Sequence, residues 1–165
     1  MALRLRITMA AALGTLASAW AGPAAAQHWT KIENPPPVVG LDGQAHQARC
    51  SGFPGTDPKF SFFVRRTASK NLVVYFEGGG ACWDNLTCSF PIAGLPAQVP
   101  QFFVPAVPPG TEQTLVDGIF STSNAANPVR DWNMVYIPYC TGDIHTGSAT
   151  KTYTSVGHPV LPEPV

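Results

Sequence analysis

The residues best suited to chemistry are three consecutive glycines that follow an apolar run. Gly78, Gly79 and Gly80 come after residues 72–76, LVVYF, and Glu77. Glycine has no side chain to keep another molecule from its amide, and it adopts backbone angles closed to other residues. Such a turn can direct free N–H groups at a developing negative charge, as in an oxyanion hole. The same glycines also fit a simple turn that ends a strand.

Nucleotide-binding motifs do not fit these glycines. Trp83 stands where a dinucleotide-binding motif needs its third glycine or an alanine, and no Gly-Lys-Ser/Thr follows to form a phosphate-binding loop. The formal net charge of zero gives no field that would attract nucleic acid or an anionic membrane. We therefore expect no cofactor and no nucleic-acid partner.

Cys82 and Cys88 follow the glycines, with five residues between them. Zinc fingers favour tighter spacing, and neither cysteine has a histidine nearby, so we expect a disulfide and no metal site. Four cysteines allow three pairings. Proximity favours Cys82–Cys88, which leaves Cys50 with Cys140. The local bridge would help to hold the glycine amides in place.

A second polar loop follows another apolar run. Residues 132–139, WNMVYIPY, predict a buried strand, and Asp143 and His145 come shortly after it. Open α/β sheets bind their ligands beyond the carboxyl ends of the strands, so these side chains could contact a substrate. Alternatively, Asp143 caps a turn and His145 is a surface residue.

Few regular elements position these loops. Residues 72–76 predict a strand buried on both faces, as in a parallel sheet covered by helices. Residues 60–67 predict a strand that forms a hairpin with it at the sheet edge, and residues 114–120 predict one helical turn. Residues 95–110 hold five prolines and a Phe-Phe pair. They are either a flap over a substrate groove or a surface loop whose aromatic side chains plug the core.

The first residues of the chain predict a secreted protein. Residues 1–26 have the positive start, short apolar core and small residues of a secretory signal peptide, and that core is too short to span a bilayer. We expect a secreted or periplasmic protein with no membrane span. Residues 27–49 predict a proline-rich, extended lead-in whose first part, 27–40, is not packed. Residues 50–165 then form the domain, and 17 prolines and 15 glycines indicate long irregular loops.

A set of motifs in order carries a family resemblance. They are Glu77-Gly78-Gly79-Gly80-Ala81-Cys82-Trp83, Gly118-Ile119-Phe120-Ser121, Asn127-Pro128, and Trp132-Asn133-Met134-Val135 running into Pro138-Tyr139-Cys140. Together they resemble the pectin acetylesterase family, which also includes the Notum carboxylesterases, over roughly residues 50–148. The resemblance implies a serine esterase with an α/β-hydrolase fold that acts on an acylated polysaccharide or another ester.

The resemblance also implies roles for particular residues. The backbone N–H groups of Gly79 and Gly80 form part of the oxyanion hole, and Gly78 shapes the turn. Trp83, Asp143 and His145 are the candidate substrate contacts.

One departure from the family pattern concerns the nucleophile. The family places its serine in a Gly-x-Ser-x-Gly-like elbow downstream of the second strand, and no such motif occurs in the 165 residues. Ser121, Ser148, His145 and His158 lack the context of a catalytic triad. We expect the N-terminal part of a longer esterase, truncated before the elbow, that has no triad and is inactive alone. The alternative is a complete secreted binding module that keeps only the scaffold.

Overall fold

The computed structural model describes residues 28–89, 102–147 and 149–154. The expected signal peptide, residues 1–26, lies outside the described residues. The described part contains short strands, two short helices and one 3-10 turn: β1 Thr30–Glu33, β2 Val38–Val39, β3 Ala45–His46, β4 Ser61–Arg65, β5 Leu72–Phe76, α1 Asn85–Ser89, α2 Thr111–Thr114, the 3-10 turn Gly118–Phe120, and β6 Asn133–Ile137. Within these ranges, no helix has the length and apolar character needed to cross a membrane.

Four of the strands form one mixed sheet in the order β1-β4-β6-β5. The outer strand β5 runs parallel to β6, whereas β4 is antiparallel to β6 and β1 is antiparallel to β4. The carboxyl ends of β1, β5 and β6 therefore meet the amino end of β4 at one edge of the sheet. Strands β2 and β3 form a separate antiparallel pair.

The predicted hairpin between residues 60–67 and 72–76 is wrong, because β6 lies between β4 and β5. The side chain of Asn133, at the start of β6, explains how this strand is held there. Its Oδ1 accepts the Thr67 N–H at 2.8 Å, and its Nδ2 donates to the Ser69 carbonyl at 2.7 Å. The polar connection after β4 is thus tied to β6 and does not turn directly into β5.

The prediction that β5 is buried on both faces is also wrong. Leu72, Val74 and Phe76 are 55%, 48% and 58% exposed, whereas Val73 packs against the core on the opposite face. In the described part of the chain, β5 has a neighbouring strand on one side only. An outer strand with one covered face cannot bury a continuous apolar run.

The unpacked lead-in is a third prediction that the structure corrects. Trp29 is only 7% exposed, and its Nε1 donates to the Leu115 carbonyl at 3.2 Å. Its ring meets that of Phe120 edge to face, with the centroids 6.0 Å apart. Directly after it, β1 pairs with β4. Trp29 therefore belongs to the core, and the strand that follows it joins the sheet with its residues mostly exposed.

The core lies on one face of the sheet and contains Trp29, Phe63, Leu115, Met134 and Tyr136. A buried Arg65 side chain on β4 helps to hold the segment that covers this face. Its Nη1 donates to the Phe120 carbonyl at 2.7 Å, and its Nη2 donates to the Arg130 carbonyl at 3.1 Å. Burial lowers the pKa of this guanidinium.

The helical turn predicted for residues 114–120 is only partly correct. Helix α2, Thr111–Thr114, ends where the predicted turn begins, and the 3-10 turn Gly118–Phe120 falls within the predicted range. Leu115 separates the two and is 3% exposed. Its backbone angles, φ −83° and ψ 59°, are not helical, so the helical course of the chain is interrupted there.

Candidate functional site

The loops after β5 and β6 lie side by side because these strands are parallel and end at the same level. The Glu77 N–H donates to the Ile137 carbonyl at 2.9 Å, and the Tyr139 N–H donates to Glu77 Oε2 at 3.0 Å. Residues 77–84 and residues 138–147 are defined here as the candidate site. They occupy the edge where open α/β sheets bind their ligands.

A further contact joins the two loops at Gly142. The Cys82 N–H donates to the Gly142 carbonyl at 2.8 Å. A Cβ atom on Gly142 would lie 2.7 Å from Cys82 Sγ and 3.3 Å from the Phe103 ring. The φ of Gly142 is +77°, in the left-handed region. The close approach of the two loops therefore requires glycine at this position.

Gly80 is restricted even more tightly. Its φ is +76°, and a Cβ atom there would lie 1.7 Å from the Phe102 carbonyl oxygen. It forms an isolated antiparallel bridge with Phe103, which is only 6% exposed. The buried Phe103 thus fits the interpretation that an aromatic side chain of this loop plugs the core. Residues 95–101, the rest of the proposed flap, lie outside the described residues.

The Gly79 amide is open to a ligand. Gly79 is exposed, and its N–H has no hydrogen-bond partner among residues 28–89, 102–147 and 149–154. A Cβ atom at Gly78 would meet nothing within 4 Å, so the space beside that residue is also open. A backbone N–H in a turn held by its neighbours is the kind of donor that stabilises an oxyanion, since it needs no rearrangement when the charge develops.

Asp143 caps the turn after β6. Its Oδ1 accepts the His145 N–H at 3.0 Å, and its Oδ2 accepts the Gly147 N–H at 3.1 Å. The Thr141 hydroxyl also donates to Oδ1. These bonds give the carboxylate the turn-capping role. Its contact with a substrate stays a prediction.

His145 bridges the two loops of the candidate site. Its Nε2 lies 2.8 Å from the Glu77 carbonyl oxygen, which can only accept, so Nε2 carries a proton. The ring also packs against Phe76 and Tyr139, with centroid distances of 5.3 and 4.9 Å. Ile144 and His145 have φ values of +52° and +59°. Such angles are rare for a β-branched residue, and residues held in them cluster at functional sites.

Trp83 begins the approach to α1 and is 66% exposed, so its ring is available to a ligand. The backbone N–H of Trp83 donates to Thr87 Oγ1 at 2.9 Å. Asp84 caps the helix, because its Oδ1 accepts the Thr87 N–H at 2.7 Å. This hydrogen bond lowers the pKa of the Asp84 carboxyl group, as does the Thr87 hydroxyl.

Two disulfides reinforce the candidate site. Cys82 is joined to Cys88, and Cys50 is joined to Cys140, so no cysteine is free. This is the pairing that proximity favours. The second bridge anchors the segment that precedes β4 to the loop that follows β6.

Ser121 makes no triad-like contact. Ser121 is buried, and its hydroxyl oxygen accepts the Asn124 N–H at 3.2 Å and lies 3.3 Å from Ser123 Oγ. Ser148 and His158 lie outside the described residues. In the described ranges, no three His, Cys, Asp or Glu side chains are grouped so that they could hold a metal ion.

Sequence reasoning missed several residues that build the site. The sequence gives Glu77 no role beyond preceding the glycines. In the structure its carboxylate accepts the Tyr139 N–H. Burial raises the pKa of the Tyr136 phenol, and the Glu77 carboxylate raises it further. Phe103 and Gly142 support the glycine turn from outside it. The one signal in the sequence was the carboxylate of Glu77 at the end of an apolar strand. A carboxylate in a packed strand needs hydrogen-bond donors nearby, so it indicates that another segment supplies them.

A family model and individual relatives both indicate the family that the motifs resemble. The pectinacetylesterase family model matches residues 37–158. Palmitoleoyl-protein carboxylesterase notum2 of Xenopus laevis is 29% identical over 108 residues, which are 62% of this chain and 21% of that protein. Palmitoleoyl-protein carboxylesterase NOTUM of Schmidtea mediterranea is 30% identical over 80 residues, 48% of this chain and 14% of that protein.

A third relative bears on activity. Inactive palmitoleoyl-protein carboxylesterase notum1b of Danio rerio is 31% identical over 94 residues, which are 55% of this chain and 63% of that protein. The chain thus spans only part of the length of these relatives. No solved structure matches it significantly. Because the family model covers well over half of the sequence, the chain belongs to the pectinacetylesterase family.

Proposed function

We propose that the chain supplies the oxyanion-hole loop of a secreted carboxylic ester hydrolase with an α/β-hydrolase fold. The observation that carries this proposal is the glycine turn at the carboxyl edge of β5 and β6. Gly79 offers an exposed, unpartnered amide among the described residues, and Gly80 cannot carry a side chain there. Membership of the pectinacetylesterase family supports the same chemistry.

The turn would act when a nucleophile attacks an ester carbonyl. The carbonyl oxygen then becomes an oxyanion, and the N–H groups of Gly79 and Gly80 donate hydrogen bonds to it. Because Phe103 and the paired loop after β6 hold the turn, the donors are positioned before the charge develops.

The substrate class follows from the family and the relatives. A pectinacetylesterase and a palmitoleoyl-protein carboxylesterase both act on carboxylic esters by name, although the acyl group and the acceptor differ. The substrate is therefore an acylated polysaccharide or another carboxylic ester. The two disulfides and the signal-like start of the sequence support a secreted or periplasmic location.

The nucleophile is the component that this proposal places elsewhere. The hydrogen bonds of Ser121 join it to Ser123 and Asn124, so it has no adjacent base that could activate it. We place the nucleophilic serine outside the described residues. One relative is named inactive, so hydrolysis has to be measured and not read from the family alone.

The test is turnover in a longer protein that carries this segment together with a nucleophilic serine. Gly80→Pro removes one N–H donor and should lower kcat by about 10²–10³ or more. Proline also perturbs the turn, because Gly80 has no room for a side chain. Gly78→Ala is the matched control, because a Cβ atom at Gly78 meets nothing within 4 Å. Circular dichroism must show that both variants are folded. Near-normal turnover in a folded Gly80→Pro variant would remove Gly80 from the oxyanion hole.

A further inference from the structure

Glu77, the residue before the glycine turn, is held at three points by β6 and the loop after it. Its N–H donates to the Ile137 carbonyl at 2.9 Å, and its carboxylate accepts the Tyr139 N–H at 3.0 Å. Its carbonyl oxygen accepts the proton of His145 Nε2, at 2.8 Å. The first bond continues the pairing of β5 with β6. The second and third come from the loop, so this loop controls where the glycine turn begins.

The His145 bond acts on the first peptide group of the turn. This group is planar, so the Glu77 carbonyl and the Gly78 N–H point in opposite directions in one plane. Only the two backbone dihedral angles of Gly78 lie between this plane and the Gly79 N–H. Glycine restricts these angles less than any other residue, so three glycines in a row take a defined shape only if their neighbours impose it. A fixed Glu77 carbonyl supplies one such restraint.

Tyr139 contacts both the turn and the histidine. A Cβ atom on Gly79 would lie 3.4 Å from Tyr139 Cδ1, so the buried tyrosine ring lies directly beside Gly79. The same ring packs against the His145 imidazole, with the centroids 4.9 Å apart. The tyrosine side chain is itself fixed, because its hydroxyl oxygen accepts the Ile144 N–H at 2.9 Å. The glycine turn, the tyrosine and the histidine therefore form one packed unit.

The backbone around His145 is held in an unfavourable conformation. Ile144 and His145 have φ values of +52° and +59°, in the left-handed region that residues other than glycine rarely adopt. The bond to Tyr139 holds Ile144 there, and Asp143 Oδ1 holds His145 by accepting its N–H at 3.0 Å. Such conformations persist only where the surroundings impose them. Here the result is an imidazole placed against the Glu77 carbonyl.

We propose that His145, braced by Tyr139, is a positioning residue that fixes the direction of the Gly79 N–H through the Glu77 carbonyl. The inference rests on the proposed function, since this N–H is one of the two donors assigned to the oxyanion. An oxyanion-hole donor is effective when it is aimed before the charge develops. Loss of the imidazole N–H leaves all three glycines and their amides present, but it frees the turn to take other shapes.

The first test is NMR spectroscopy of the full chain, which needs no hydrolysis. Long-range 15N spectra of the unaltered chain should show the His145 proton on Nε2. His145→Phe keeps an aromatic ring against Phe76 and Tyr139 but removes the N–H donor. The order parameters of the Gly78 and Gly79 amides should then fall from about 0.85, typical of rigid backbone, to below about 0.6.

Three further variants make this test specific. His145→Gln is the rescue variant, because a glutamine Nε2 can take the place of the imidazole Nε2 and donate the same bond, so the turn should stay rigid. His46→Phe is the matched control, since it makes the same change at an exposed histidine on β3, in the separate strand pair, and should leave the turn rigid. Tyr139→Phe keeps the ring beside Gly79 and removes only the acceptor of the Ile144 N–H. It should also lower the order parameters, and it decides the matter if His145→Phe does not fold.

The second test is turnover in the longer protein used for Gly80→Pro. His145→Phe should lower kcat by about tenfold to a hundredfold and leave KM nearly unchanged. The reason is that a misaimed donor weakens the bond to the oxyanion and not the binding of the ester. His145→Gln should recover most of the lost kcat. Circular dichroism must show that both variants are folded.

Two results would overturn the inference. They are glycine amides that stay rigid in a folded His145→Phe chain, and a His145→Gln variant as impaired as His145→Phe. The two proposals can also fail separately. Near-normal turnover in folded Gly80→Pro, with a loosened turn in His145→Phe, would remove Gly80 from the oxyanion hole and keep His145 as the residue that holds the turn. Reduced turnover in Gly80→Pro, with full turnover in folded His145→Phe, would overturn the positioning role alone.

Discussion

At the residue scale, the site depends on positions where a side chain cannot be accommodated. Gly80 and Gly142 both have φ values near +76°, and a Cβ atom at either would meet another atom at less than 3 Å. The glycine triplet was visible in the sequence as a chemically capable turn. The need for Gly142 was not, because it arises from Cys82 and Phe103, which approach from other parts of the chain.

The restriction at Gly80 predicts a difference in stability between two alanine variants. Gly80→Ala places a Cβ atom 1.7 Å from a backbone carbonyl oxygen at a positive φ, and should lower the free energy of unfolding by more than about 2 kcal/mol. Gly78→Ala meets open space and should change it much less. Urea unfolding followed by circular dichroism measures both. Equal stability of the two variants would show that the Phe102 carbonyl does not restrict Gly80.

At the element scale, strand existence was easier to predict than strand pairing. The apolar runs that form β5 and β6 were found, because composition and length are properties of the run itself. Their neighbours were not, since the pairing of β4 with β6 depends on contacts such as those of Asn133, at the start of β6. The packing of β1 was missed for a similar reason. Prolines after it suggested an extended lead-in, but the tryptophan before it, Trp29, is buried in the core.

The disulfides that join these elements should differ in their effects. The Cys50–Cys140 bridge closes a loop with a sequence separation of 90, and Cys82–Cys88 closes one of only 6. By loop-closure entropy, replacing the first pair with alanine should cost about 4–5 kcal/mol and replacing the second about 2 kcal/mol.

Chemical denaturation of the two double variants measures which of them loses more stability. Non-reducing peptide mapping checks which cysteines are paired. A larger loss for the Cys82/Cys88 variant would contradict the entropic argument. A peptide that joins Cys82 to Cys140 would contradict the pairing itself.

At the scale of the whole molecule, the two faces of the sheet differ. One face is packed by the core around Phe63 and Met134. On the other, Leu72, Val74 and Phe76 are about half exposed, and His145 packs against Phe76. The sequence predicted two buried faces because a continuous apolar run does not reveal what covers it.

We propose that this chain provides an oxyanion-hole loop, and we expect it to be inactive alone. An oxyanion hole acts only after a nucleophile has attacked the carbonyl, and loss of the nucleophile costs a serine hydrolase roughly 10⁶ in turnover. The most direct measurement is hydrolysis of p-nitrophenyl acetate by the purified chain before and after treatment with a fluorophosphonate serine probe, with Ser121→Ala as the control. We predict no probe-sensitive turnover and no labelled serine. Turnover that the probe abolishes, with a label on Ser121 or another serine of this chain, would contradict the claim.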